Sequence, residues 1–234
     1  MLNDALKDKT IAVIGGTGAE GAGLALRWAH AGLPVIIGSR DAQRAADVAA
    51  ELNSRHRGPP IRGMANADAA AAGDVVVLSV PYASQQQTAA SIAPALTGKV
   101  LIDVTVPLMP PKVDRVQLPG GRSAVEALQE LLGPEVTVVS AFQNVSAKHL
   151  SDLGHTPACD VLVTSDKRAA RDLAIALAEA AGLCGIDAGV LANSAAVEAM
   201  TSVLIAINKR YKLNNSGIRI TGLPAREASG ASSA

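Results

Sequence analysis

Gly16, Gly18 and Gly21 stand at G-x-G-x-x-G spacing, behind the apolar run Thr10-Ile-Ala-Val-Ile14 and ahead of an amphipathic run opening near Glu20. These residue types suit a diphosphate. Gly16 permits a tight turn, Gly18 lets the backbone approach a pyrophosphate, and Gly21 lets a helix pack on the preceding strand. The amides and positive dipole end of that helix face the same anion. A second apolar run, Pro34-Val-Ile-Ile-Gly38, ends in Ser39-Arg40, with Arg44 one helical turn on. An NAD site usually carries Asp or Glu here, about 20 residues past the glycines. A carboxylate would repel a 2′-phosphate, whereas a hydroxyl and a guanidinium bind one by charge-assisted hydrogen bonds. Thr17 adds a hydroxyl inside the turn. These residues predict NADP as the bound nucleotide.

A strand–turn–helix–strand unit must position them, and the pattern continues along the chain. Expected parallel strands are 10–14, 35–37, 61–64, 75–80, 100–103 and 136–140, several of them continuous apolar runs suited to burial on both faces. Helices are expected at 20–31, ending at a left-handed Gly32, and from an Asp41 cap to 53. A Ser123-x-x-Glu126 capping box opens another. Past Ala147 the pattern predicts a strand at 159–164, a helix capped by Ser165-Asp166 to 181, a strand at 185–188 and a helix from Ser194 to about Lys209. Val197, Met200, Leu204 and Ile207 form its stripe, for core or a dimer interface. The fold class is therefore α/β: a doubly wound, mostly parallel dinucleotide-binding sheet at 1–147, a smaller C-terminal α/β domain at 148–224 forming a cleft, and a disordered tail at 225–234. Residues 1–9 read as a polar lead-in.

Composition narrows the chemistry. The 234 residues are 49% hydrophobic and carry 21 acidic and 21 basic groups, which gives no pull toward nucleic acid. Cys159 and Cys184 form no zinc or redox pattern and read as small buried thiols. No metal-ligand spacing, nucleophilic triad or paired carboxylates stand out, so hydrolase and metalloenzyme chemistry find no support. His149 and His155 flank the entrance to the second domain and read as surface residues. No apolar run is read as spanning a bilayer, and a cytoplasmic location is the expectation.

The segments Ile14-Gly-Gly-Thr-Gly, Ile37-Gly-Ser-Arg40, Ser79-Val-Pro81, Gly121-Arg-Ser-Ala124, Val139-Ser-Ala-Phe142, Asp187-Ala-Gly189, Leu191-Ala-Asn-Ser194 and Gly217-Ile218 come in an order that matters more than any one of them. Through them the chain resembles, from about Thr10 to Leu223, the NADPH-dependent reductases of the deazaflavin coenzyme F420. The resemblance implies reversible hydride transfer between NADP(H) and F420 in a cleft between two domains. It implies NADP contacts at Thr17, Gly18, Ala19, Glu20, Ser39, Arg40 and Arg44, with Val80, Val106 and Ala147 along the nicotinamide. By position, Gln143 and Val145 border the hydride-transfer site and Asn215 to Ile218 close over it. Some members carry histidine where this chain has Gln143. Hydride transfer between two preoriented rings needs no general acid there. The departure leaves another flavin, a pterin or a small carbonyl or imine open as second substrate. A homodimer is expected from the apolar final helix.

Overall fold

Four- and five-residue apolar runs with no polar alternation can only be buried on both faces, and a parallel sheet between helix layers provides that. In the computed structural model, which describes residues 3–223, they form it. The elements run β1 (Ile11–Ile14), α1 (Ala19–His30), β2 (Val35–Ser39), α2 (Ala42–Asn53), β3 (Arg62–Ala65), α3 (Asn66–Ala72), β4 (Val75–Leu78), α4 (Tyr82–Ile92), β5 (Val100–Asp103), α5 (Ala124–Leu132) and β6 (Thr137–Ser140). All six strands are parallel, in the order β3-β2-β1-β4-β5-β6. Strand order reverses between β1 and β4, so the crevice that takes ligands lies above Ile14 and Leu78.

The rest of the chain supplies α6 (Ala147–Leu150), β7 (Asp160–Val163), α7 (Arg168–Ala180), β8 (Cys184–Asp187) and α8 (Ser194–Tyr211). β7 and β8 pair in parallel, and an antiparallel bridge joins Ser140 to Thr164. Val161, Val163, Ala174 and Leu177 share one apolar core with Ile11, Val13, Leu24 and Trp28. The Trp28 indole donates to the Leu177 carbonyl at 2.8 Å and meets the Phe142 ring edge-on at 5.9 Å.

Arg27 binds the two regions more tightly than any apolar contact. Its side chain is buried on α1 and reaches five backbone carbonyls: Leu150 from Nε, Ala181 from Nη1, and His149, Asp152 and His155 from Nη2, all at 2.6–3.0 Å. A planar guanidinium is the side chain that can satisfy so many carbonyls at once. Gly23 faces the same segment, where a Cβ would stand 2.6 Å from that of Leu150. Arg27 and Gly23 together seat α6 against α1, beside the glycine turn.

Three expectations are corrected. Ser165 and Asp166 do not cap α7, whose N-cap position is Lys167 with no side-chain bond. The Ser165 hydroxyl instead donates to the Val138 carbonyl, and Asp166 accepts the Leu191 amide, because β7 must first be tied to its neighbours. The lead-in is not merely polar, since Leu6 is buried in a short 3-10 turn over the core. Leu191–Tyr211 is, by length and composition, long and apolar enough to cross a membrane, although only a third of it is buried here. That run also carries the buried carboxylate of Glu198, which packs it on α5. Of the α8 stripe expected to serve the core or a dimer interface, Val197 and Leu204 are buried, and Met200 and Ile207 are each 36% exposed. The expected tail at 225–234 lies outside the described residues.

Candidate active site

The three turn glycines answer to different demands. A Cβ at Gly16 would stand 2.7 Å from Cβ of Ile37, and one at Gly21 would stand 3.0 Å from Cα of Gly16. Both glycines are required by the packing of turn on strand and helix. At Gly18 a Cβ would meet only the Gly15 carbonyl at 3.5 Å, and φ is −80°. Nothing among the described residues demands glycine there, so what a side chain would obstruct is a ligand approaching the backbone. Gly18 is also the N-cap residue of α1 and offers no side-chain cap to its free amides. Gly15, missed by the motif, has φ +75° and packs on the Ser79 carbonyl, joining the turn to the end of β4.

Ser39 ends β2, nearly buried, and its hydroxyl accepts the Asp41 amide at 3.2 Å, which leaves its proton for a ligand. Arg40 follows it, exposed, with no side-chain partner among the described residues. Arg44 is likewise exposed in the first turn of α2, whose N-cap Asp41 accepts the Gln43 and Arg44 amides. The chain thus presents a hydroxyl and two unpaired guanidiniums at the strand end where a ribose phosphate would lie. These residues fit NADP.

Thr17, Gly18, Ala19 and Ala147 line a cavity of about 380 Å³, together with Glu51 and Leu52 of α2, Arg55 just past its end, and Lys148 and Ser151 among others. Ser39, Arg40, Arg44, Val80, Val106, Gln143 and Val145 are not part of that lining. A larger cavity of about 740 Å³ runs from α5 to Lys167 and Leu191. It meets the sheet at Val136 and Thr137, the amino end of β6, away from the strand ends that the glycine turn serves, so size does not locate the site.

Val80 and Val106 stand half-buried after β4 and β5, linked by the Thr105 hydroxyl, which donates to the Val80 carbonyl at 3.2 Å. Gln143 and Val145 are buried rather than lining open space. Gln143 follows Phe142, a non-glycine residue held at φ +75°, a conformation that persists only where surrounding structure enforces it. The Gln143 amide donates to the Asp103 carbonyl at 2.8 Å, while its Oε1 is buried without a hydrogen-bond partner. The Ser146 hydroxyl donates to Asn215 at 2.8 Å, and the Ile218 carbonyl accepts the Asp160 amide at 2.7 Å, which brings the C-terminal segment over this loop. His155 is exposed and stacks on the half-buried His149, with ring centroids 4.5 Å apart.

The sequence reading found no paired carboxylates, yet the fold brings acids together. Asp103, at the end of β5, has no exposed surface, and burial pushes its carboxyl up to about 6 despite bonds from Thr105 and Gln85. Glu20, in the first turn of α1, is pushed up to about 8, first by burial of its carboxyl and then by the charge of Asp103, although the residue keeps partial exposure. Burial raises Glu198 to about 7, while the Ala124 and Val125 amides at the start of α5 hold it down. A neutral Glu20 removes the repulsion that a carboxylate beside a pyrophosphate would exert. Asp103 had a signal, a lone acid ending an apolar run at a strand's carboxyl end. Gln85, inside a Gln85-Gln-Gln run, had none.

Fold and turn together define a doubly wound dinucleotide-binding protein. Residues 10–107 match the family described as NADP oxidoreductase, coenzyme F420-dependent. The chain is 45% identical to the F420-dependent NADP reductase of Methanothermobacter thermautotrophicus, over 93% of this chain and 97% of that one. It is 41% identical to the reductase of the same name from Methanocaldococcus jannaschii, over 91% and 98%. A crystal structure from an Arthrobacter species that carries an F420-dependent NADP reductase description superposes with a TM-score of 0.76 at 29% identity, over 91% and 99%. The chain belongs to the F420-dependent NADP reductase family, as its sequence resemblance implied.

Proposed function

We propose that the protein transfers a hydride reversibly between NADP(H) and the deazaflavin F420. The observation that carries this reading is Gly18, a glycine that the fold does not need and a pyrophosphate does, set beside the unpaired Arg40 in a chain of this family. NADPH supplies the hydride and F420 accepts it. This chain's residues bind and orient. The turn from Gly16 to Gly21, with Thr17, Ala19 and Glu20, holds the diphosphate, and Ser39, Arg40 and Arg44 hold the 2′-phosphate. Val80, Val106 and Ala147 flank the nicotinamide, and Gln143 and Val145 support the ring that meets it. Residues 1–147 form the NADP-binding part, and 148–224 close the cleft, with Asn215 to Ile218 over the deazaflavin.

The outward face of α8, with Met200, Val203 and Ile207 exposed, supports assembly as a homodimer. We place the protein in the cytoplasm, where both small-molecule substrates are found free. Mixing it with NADPH and F420 and following the deazaflavin absorbance tests the reaction. Rapid bleaching with F420, and none with a free flavin, a pterin or a cyclic imine, is the expected result. Turnover of one of those alone would transfer the assignment to it.

A further inference from the structure

Two segments meet on one buried side chain, and a third meets the backbone of the same residue. Asp103 Oδ1 accepts the Thr105 amide at 3.1 Å, and its Oδ2 accepts Gln85 Nε2 from α4. Its backbone carbonyl accepts Gln143 Nε2 at 2.8 Å. The links run onward, from Thr105 Oγ1 to the Val80 carbonyl and from Thr201 Oγ1 on α8 to the Gln143 carbonyl. The Asp103 side chain thereby registers α4, which follows β4, against the segment after β5, while its backbone carbonyl holds the segment after β6.

Stability alone is a poor reason for this arrangement, because a buried carboxylate without a cationic partner costs more than an apolar residue of similar size. A charge on Asp103 also disfavours ionisation of Glu20 on α1 and Glu198 on α8. The network sits at the carboxyl ends of β4 to β6, the mononucleotide half that takes the nicotinamide when the other half takes the adenosine. Hydride transfer is sensitive to placement, since about 1 Å of misplacement costs about 100-fold in rate.

We propose that Asp103 is a positioning residue for hydride transfer, its side chain fixing the Val80 and Val106 segments against each other as one wall beside the nicotinamide ring. The inference rests on the NADPH reading of the site. Asp103 touches no reacting atom in this role, and the phosphate anchors at Gly18 and Arg40 do not depend on it.

The test compares the full-length parent with Asp103→Ala and Asp103→Asn, reading kcat with F420 and, independently of turnover, the affinity and emission anisotropy of bound NADPH. Asparagine can still accept the Thr105 amide, and its own amide can donate to Gln85 Oε1, which has no partner at present, once the Gln85 amide turns over. Asp103→Ala should lower kcat by about 100-fold and loosen the nicotinamide emission, with NADPH affinity changed by under about threefold. Asp103→Asn should restore both rate and anisotropy. Where the alanine variant fails to fold, Gln85→Leu removes one arm and should show the same signature more weakly.

An asparagine variant as impaired as the alanine one would show that charge, not registry, matters, and would overturn the proposal. Parent-like kcat and anisotropy in Asp103→Ala, or in Gln85→Leu where that variant stands in, would also overturn it. Failure of the parent to bind NADPH would be seen before any variant is compared, and would overturn the NADPH reading together with this inference.

Discussion

Two residues carry the nucleotide assignment, and they fail in different ways when changed. Arg40 is exposed with no side-chain partner among the described residues, so its removal should leave the fold intact and act on the ligand alone. A hydrogen bond to a charged group contributes about 1.5–3 kcal/mol, so Arg40→Ala should weaken NADPH by roughly ten- to a hundredfold. NADH affinity should barely move, and Arg40→Lys should keep part of the preference because the charge survives without the fork. The kcat/KM ratio for the two nucleotides reads this directly. Gly18→Ala is the sharper change. The added methyl meets only ordinary contact within the protein, so the thermal midpoint should stay within about 2 °C of the parent. NADPH affinity should nevertheless drop by about tenfold or more, since the methyl enters the diphosphate's path. Gly16→Ala should lose stability outright, with Ile37 in its way. Equal stability losses in the two alanine variants would remove the ligand argument from Gly18.

At the scale of elements, the sequence showed what repeats and hid what converges. Strands at 100–103 and near 75–78, the Asp41 cap and the Ser123–Glu126 capping box were legible because each rests on local pattern or local hydrogen bonds. The roles of Arg27 and Glu198 were not, because their partners lie 73 to 154 positions away, and neither was that of Asp103, whose backbone takes Gln143 from 40 positions on. Ser165 and Asp166 misled for the same reason, since their local pattern offered a cap and distant backbone groups took the side chains. Arg27 gives the test at this scale. Replacing it with methionine keeps the apolar stem and strips five carbonyls of their donor, which should cost about 3 kcal/mol or more. Urea unfolding measures that loss. Because α6 is seated by this side chain, the variant should also bind NADPH more weakly, through Ala147 and Lys148 beside the turn.

For the molecule as a whole, the buried acids set how stability follows pH. Asp103, Glu20 and Glu198 all have folded values above their ordinary ones, at about 6, 8 and 7. Between pH 4.5 and 8 the unfolded chain therefore binds fewer protons than the folded one, and stability falls as pH rises across that window. His56, whose value is lowered by burial and by His30, works in the other direction below pH 6.5, one group against three. The thermal midpoint should be highest near pH 5 and lower by several degrees, about 5 °C, at pH 8. Replacing Glu20 with glutamine should flatten the upper part of that slope, and an unchanged slope would mean that its carboxyl is not held neutral. In the reaction itself the hydride passes directly from one bound ring to the other. NADPH carrying deuterium on both faces of nicotinamide C4, mixed with F420 and the protein in ordinary water, tests it most directly. The account predicts one deuterium per turnover on the reduced deazaflavin, found by mass spectrometry. Reduced deazaflavin without deuterium, its label lost to solvent, would contradict it.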